Sequence, residues 1–303
     1  MDAHLRDLRY FVAVAEELSF TRAAEKLYIS QPALSKQVRV LEQALGARLF
    51  RREHGGVELT AAGAALLAAA RPLLRRWDDA VEEVSAVAAE SARLLRLGII
   101  TSLGRALYPT IIDHFIARLP GWRVELRSFG WADSTAGLRD RSSDVAFVWL
   151  PIEATGLIVE VLVREPRYIA MSADHPLSRQ SSVTFDAIAD EPLAALPRAA
   201  GAVRDFWLAN DARNGGTARI AAEVTSADEV FEIVATGAAM AFLAEGNARI
   251  YARPGVTFRP VLGLAPAELA IAHRAEDHRP VVRAFVQACR EAVADPGRSG
   301  TRA

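Results

Sequence analysis

Leu5, Leu8, Phe11, Val12 and Ala15 recur at steps of three and four, the signature of a helix that buries one face. The pattern restarts at Ser19, where Ser19 or Thr21 is suited to cap a second helix that turns Phe20, Ala24 and Leu27 inward. Tyr28 and Ile29 interrupt it. Ser30 then stands where a third helix would be capped, with Pro32 in a first turn that needs no amide hydrogen. In that helix Leu34, Val38, Leu41 and Leu45 fall within roughly 40° of one another, whereas Pro32, Ser35, Lys36, Arg39 and Gln43 project to the other side. Gly46 supplies the stop.

After Thr60, a plausible cap, Leu67, Ala70, Leu74, Trp77, Val81, Val84 and Ala88 alternate steps of three and four, the seam of a coiled coil. A helix over 61–91 is roughly 45 Å long. It is either laid on its own domain or paired with a second subunit, and its place between two differently patterned halves favours pairing.

From Leu95 apolar runs alternate with amphipathic segments. Strands are predicted at Leu95–Ile100, Trp122–Ser128 and Val145–Val148, with helices at Arg105–Arg118 and Ser134–Arg141. Further strands fall near Tyr168–Ser172, Leu193–Leu196, Arg219–Val224, Met240–Leu243 and Glu268–Arg274, and helices near Val203–Asn210, Ala227–Thr236 and Pro280–Ala294. The alternation predicts an α/β fold with parallel sheets in two lobes.

Composition narrows the class. A chain of 303 residues, 51% hydrophobic, can build two or three globular domains. The single cysteine, Cys289, excludes an internal disulfide and any cysteine cluster for a metal. Met1 to Tyr10 is polar where an export signal would be apolar, and the richest apolar run, Ala61 to Ala70, is too short to span a membrane. A soluble, cytoplasmic protein is expected. Net charge is −1, but between Ser30 and Arg52 the cations Lys36, Arg39, Arg48, Arg51 and Arg52 face one anion, Glu42.

A helix held by leucines on one face and carrying Gln, Ser, Lys and Arg on the other can read the major groove, although the same pattern serves any solvated surface helix. Gln31 and Ser35 can reach base edges; Lys36 and Arg39 can reach bases or phosphates. The surrounding string decides between the two. LRYFVAVAEELSFTRAAEKLYISQPALSKQVRVLEQALGARLF, followed by Leu59-Thr60 and Ala61-Ala62-Gly63, resembles the DNA-binding domain of LysR-type transcriptional regulators across the first sixty-odd residues. Phe20-Thr21-Arg22-Ala23-Ala24, Ser30 to Ser35, Leu41-Glu42 and Leu49-Phe50 carry the resemblance.

It implies a winged helix-turn-helix over 1–60, with the helix-turn-helix at about 20–39, a linker helix over 61–91 for dimerisation, and an effector domain over 92–303. It also implies DNA contacts from Thr21, Arg22, Ser30, Gln31, Pro32, Ala33, Ser35, Lys36, Arg39 and Arg52. The wing, Leu49 to Thr60, would turn at Gly55-Gly56. The chain departs from the family at the wing tip, where relatives often place an arginine and this sequence has Glu53-His54-Gly55-Gly56.

The C-terminal part resembles the LysR-type effector domain, similar in fold to periplasmic solute-binding proteins. Arg96-Leu97-Gly98-Ile99, Phe115 to Gly121, Asp144-Val145-Ala146 and His175-Pro176-Leu177 carry this resemblance. Lobe one would comprise 93–163 and 267–295, lobe two 164–266. Thr101-Ser102 and Thr225-Ser226 stand at strand-to-helix junctions, where helix caps and anion contacts are both found. By resemblance the cleft would also be lined by Ser128, Phe129, Phe147, Gly201 and Ala202, and would take a small or aromatic carboxylate. Trp149 stands where some regulators of aromatic catabolism have an arginine.

An enzyme is not expected. Cys289 has no histidine nearby in sequence, the six histidines show no metal-ligand spacing, and no phosphate loop or Gly-x-Ser-x-Gly occurs. A helix-turn-helix fused to a catalytic domain therefore lacks its chemistry, and a transport protein would have no use for residues 1–60. No cofactor or metal is expected. The expected partners are double-stranded promoter DNA, a small-molecule effector, RNA polymerase and further copies of the chain as dimer or tetramer.

Overall fold

A computed structural model describes residues 4–53, 56–104, 107–213 and 215–294, with backbone alone at 52, 53, 56, 82, 85, 86, 90 and 91. The chain divides into two compact units, Met1–Ala88 and Ala89–Ala303.

The first unit opens with α1 (Leu5–Glu17), α2 (Phe20–Lys26) and α3 (Gln31–Leu45), followed by a hairpin of β1 (Phe50–Glu53) and β2 (Gly56–Leu59) and by α4 (Ala61–Ser91). The caps at Ser19, Gly46 and Thr60 are those the sequence indicates. The Ser19 hydroxyl accepts the Arg22 amide, and Gly46 closes α3 in the left-handed region at φ 65°. The Thr60 hydroxyl accepts the Gly63 amide and donates to the Arg48 carbonyl, joining the start of α4 to the base of the wing. Gly63 is required there, because a Cβ would lie 2.2 Å from the Leu49 carbonyl oxygen. Phe11, Val14, Phe20, Leu34, Val38, Leu41, Leu49 and Phe50 form the core, with Phe50 packed against Phe11 and Phe20.

Three expectations change in this unit. Ser30 occupies the cap position of α3, yet its side chain makes no cap hydrogen bond. Glu53 pairs with Gly56, so the connection is 54–55, one residue earlier than Gly55-Gly56, and its conformation lies outside the described residues. The linker stripe also divides. Ala70 and Leu74 are buried within the single chain, on the stretch of α4 that ion pairs Arg71–Glu16 and Arg9–Asp78 tie to α1. Leu67 is half-buried against the winged-helix core, whereas Trp77, Val81, Val84 and Ala88 stay exposed.

The second unit contains β3 (Leu94–Ile99), α5 (Leu107–Arg118), β4 (Arg123–Ser128), β5 (Val145–Trp149), β6 (Leu157–Glu165), β7 (Arg167–Ser172), β8 (Val183–Thr184) and β9 (Leu193–Ala195). It continues with α6 (Ala202–Trp207), β10 (Ile220–Glu223), α7 (Ala227–Ala235), β11 (Ala241–Ala244), α8 (Glu245–Ile250), β12 (Val256–Leu262), β13 (Ala267–Arg274) and α9 (Pro280–Ala294). Lobe one is a five-stranded sheet in the order β4-β3-β5-β13-β6; lobe two is built on a four-stranded sheet, β11-β7-β12-β8.

The sheets are mixed rather than parallel. β3 runs parallel to β4 and β5, but β13 returns late in the chain and inserts antiparallel between β5 and β6. In lobe two β7 is antiparallel to β11 and β12. The sequence reading missed β6, β8, β12 and the short α8; strands that return without a crossover helix carry no alternating βα signal. The helix expected at Ser134–Arg141 is a run of turns. Ala136, Gly137 and Arg141 have φ of 49°, 80° and 59°, which no α-helix accommodates.

The chain passes between lobes at 165–167 and again at 262–267. Arg167 staples this crossing from a fully buried position. Its guanidinium donates to the Ala265 and Phe206 carbonyls, pairs with Asp211 at 3.2 Å and lies over the Phe206 ring. Lobe one is filled by Leu95, Leu97, Ile111, Phe115, Phe147 and Phe285, with Phe115 edge-on to Phe285.

Candidate functional site

The face of α3 opposite its leucines is a candidate nucleic-acid interface. Leu34, Val38 and Leu41 are fully buried, so the helix cannot rotate, and Pro32, Ala33, Lys36 and Arg39 are held exposed. Among the described residues neither Lys36 nor Arg39 is ion-paired. Two other cations of the basic stretch, Arg48 and Arg51, are engaged. Arg48 pairs with Glu42 at 3.3 Å, and Arg51 makes two hydrogen bonds to Glu58 across the wing. Among the described side chains, the unpaired positive charge of this stretch thus lies on α3.

Ser35 departs from its expected place. It is buried, and its hydroxyl accepts from Gln31 Nε2 at 2.8 Å, because the line Ser35, Val38, Glu42 turns toward the wing. Gln31 is half-buried, while Thr21 and Ser30 are exposed. Arg22 is exposed but pairs with Glu17. The Arg52 side chain lies outside the described residues.

Glu42 is the residue whose role the sequence reading did not see. It is buried at the C-terminal end of α3, and its Oε1 accepts the amides of Leu49 at 2.8 Å and Phe50 at 3.3 Å. One carboxylate thus locks the recognition helix to the first wing strand. The signal was a lone anion within a basic run.

The second candidate site is a cavity of about 80 Å³ between the two lobes. Ile100, Thr101 and Trp149 enter it from the strand ends of lobe one. Lobe two supplies Trp207 from α6, Phe231 from α7, and Asn247 and Tyr251 from α8 and its end, with Trp131 and aliphatic side chains completing the wall. Trp149 stands edge-on to Trp207, and Phe231 lies 4.9 Å from Tyr251. The polar groups are few: Trp149 Nε1 donates to the Thr101 hydroxyl at 3.1 Å, and the Asn247 amide lies 3.5 Å from the same hydroxyl. Burial pushes the Tyr251 phenol up, so it stays protonated at neutral pH.

Of the effector residues expected from sequence, only Thr101 lines this cavity. Phe147 is buried in the lobe-one core beside Phe285, and Phe129 packs with Ala136 and Leu138. Ser102, Ser128, Gly201 and Ala202 are exposed outside its lining. Thr225 and Ser226 serve as helix-capping groups: the Thr225 amide and hydroxyl bond to the Glu229 carboxylate, and Ser226 accepts the Glu229 amide. The aromatic and apolar lining came from β9, β11 and α6 to α8, whose inward faces are fixed only when the lobes meet. No described lining residue is cationic, so the carboxylate expected from sequence has no counter-charge here.

Comparison with known proteins covers both units of the chain. Residues 5–64 match the bacterial regulatory helix-turn-helix protein family, lysR family, and residues 88–294 match the LysR substrate binding domain. The chain is 30% identical over 284 residues to the HTH-type transcriptional regulator AlsR of Bacillus subtilis, covering 93% of this chain and 94% of that one. It is 30% identical over 292 residues to the Hca operon transcriptional activator HcaR of Escherichia coli, covering 96% and 98%. Among solved structures, full-length BenM aligns with a TM-score of 0.56 at 29% identity, covering 97% of this chain and 98% of that one. Full-length CbnR bound to its target DNA aligns with a TM-score of 0.52 at 25% identity, covering 96% and 100%.

Proposed function

The chain belongs to the LysR family of transcriptional regulators, and from that premise we propose that it binds paired half-sites in promoter DNA as a dimer that assembles into tetramers. It is a transcriptional regulator with a DNA-binding helix-turn-helix and an effector-binding domain. The observation that carries the DNA-binding assignment is α3: buried leucines fix its orientation while Lys36 and Arg39 stand exposed and unneutralised among the described residues. Gln31, Pro32 and Ala33 at its N-terminal end approach base edges in the major groove, Lys36 and Arg39 reach bases or phosphates, and Thr21, Arg22, Ser30 and Arg52 flank them at the backbone. Ser35 acts by orienting Gln31.

The exposed part of α4, with Trp77, Val81, Val84 and Ala88, pairs two subunits and sets the spacing of their recognition helices. A small molecule in the cavity between lobes binds one lobe arrangement better than another. The shift in population alters spacing or bend of the bound DNA, and with it the access of RNA polymerase in the cytoplasm.

DNase protection over the intergenic region beside the chain's own gene should reveal paired half-sites an integral number of helical turns apart; a single short footprint, or none, would sink the proposal. Lys36→Ala should weaken binding across sequences and lower the slope of log affinity against log salt by about 1. An unchanged slope removes Lys36 from the phosphate contacts.

A further inference from the structure

We infer that the effector is a small uncharged molecule with an apolar body and one hydroxyl group, an alcohol or a phenol, and not a carboxylate. The inference rests on reading the interlobe cavity as the effector site. Three sets of observations carry it.

The first is what the wall lacks. Among the described lining residues there is no Lys, Arg or His. The arginines that touch the wall from behind are already engaged: Arg204 donates to the Leu196 carbonyl and pairs with Glu223, and Arg253, lying over the Phe231 ring, pairs with Asp228 and Glu232. A carboxylate entering this space would lose its water without gaining a cation from any described lining residue, which is among the costliest exchanges a site can impose.

The second is that the amides expected to greet an anion are taken. The Thr225 amide, beside the start of α7, donates to Glu229 Oε2 at 2.6 Å, and Asp228 and Glu229 place two carboxylates in the first turn of that helix. The Ser102 amide is directed at the Tyr251 hydroxyl oxygen and favours its ionised form, against the larger effect of burial. The protein's own oxygens occupy both junctions, and an anionic ligand at α7 would meet like charge.

The third is what the wall still needs. Asn247 is 5% exposed, and its Oδ1 has no hydrogen-bond partner among the described residues. Its other amide atom lies beside the Thr101 hydroxyl, which accepts from Trp149 Nε1. With Oδ1 turned to the cavity, the site asks the ligand for a donor; with the amide turned over, it offers an N–H to an acceptor. A hydroxyl satisfies both, and a carboxylate satisfies only the second. Around this one polar point stand Trp131, Trp149, Trp207 and Phe231, suited to a flat or compact apolar body. At about 80 Å³ the cavity is smaller than the ~150 Å³ space that holds benzene in an engineered protein, so a ring enters by parting the lobes slightly.

Isothermal titration calorimetry on the full chain compares benzyl alcohol, toluene and benzoate, which share one ring. Benzyl alcohol should bind about fivefold to tenfold tighter than toluene and about a hundredfold or more tighter than benzoate. Asn247→Leu should bring benzyl alcohol down to the level of toluene. A second measurement needs no variant: 4-nitrophenol, which ionises near neutrality, should lose affinity about tenfold per pH unit above its own pKa, because only its uncharged form fits. Benzoate binding as tightly as benzyl alcohol, a flat pH profile for nitrophenol, or no binding by any of these probes overturns the inference. The same preparations are titrated with promoter DNA. Retained DNA binding beside any of those results leaves the regulator assignment standing, whereas lost DNA binding strikes that assignment instead.

Discussion

Two buried carboxylates show how single residues hold the functional surfaces. Glu42 accepts the amides of Leu49 and Phe50 at the start of the wing. Glu42→Ala leaves two buried donors unpaired and should destabilise the winged domain by roughly 2–3 kcal/mol in denaturant titration, whereas Glu42→Gln, which keeps an acceptor, should cost about half of that. Asp144 lies wholly inside lobe one. Burial pushes its carboxyl up, but hydrogen bonds from the side chain and backbone of Arg96 and from Arg279 outweigh that and hold it below the ordinary aspartate value. Asp277, also bonded by Arg279, is lowered in the same way. A group lowered in the folded state contributes stability that is fully present above its unfolded value, about 4, and is lost as the pH falls through the folded one. The effector domain should therefore keep its denaturation midpoint from neutrality down to about pH 5 and lose it steeply below about pH 4. A midpoint that already falls between pH 7 and 5 would point to other groups. Neither carboxylate could be assigned from sequence, where an isolated Asp or Glu is indistinguishable from a solvated one.

At the scale of elements, α4 does two jobs along one stripe. Ala70 and Leu74 pack within the chain, and the ion pairs to α1 hold that segment in place; further along, Trp77 and Val84 are 48% and 71% exposed. The heptad spacing was legible, but spacing cannot say whether an apolar position meets its own chain or a second one. The two halves should respond differently. Val84→Asp should leave the thermal midpoint of the winged domain within about a degree of its value while shifting sedimentation toward monomer. Leu74→Ala should lower stability by about 2–3 kcal/mol without a preferential effect on assembly. If Val84→Asp remains as associated as the parent chain, the seam is not where subunits meet. The failed helix at 134–141 teaches the same lesson: its composition permits a helix, and three positive φ values, in a segment hydrogen-bonded to Asp133 and Ser143, forbid one.

For the whole molecule the consequence of having two sites is linkage. A ligand that changes DNA affinity by some factor must have its own affinity changed by DNA by that same factor. Calorimetry of benzyl alcohol with and without saturating promoter DNA should return the ratio seen when DNA is titrated with and without the alcohol. Unequal ratios would show that the two measurements do not report on one two-state protein. A factor of one in both would mean that occupation of this cavity does not bias the DNA-bound form.

The sequence by itself determined the parts whose physics is local. The three N-terminal helices, their caps at Ser19 and Gly46, the leucine face of α3 and the exposed Lys36 and Arg39 follow from steps of three and four and from capping chemistry within a few residues. Tertiary structure decided what depends on distant segments meeting. β13, from residues 267–274, is drawn into the middle of a sheet begun at Leu94, which makes that sheet mixed. It also decided the interlobe cavity, where Thr101 meets Trp149 and Asn247 across 48 and 146 residues of chain. A side chain's partner over such a distance is set by the closing of the two lobes on a shared core, a contact that no local pattern encodes.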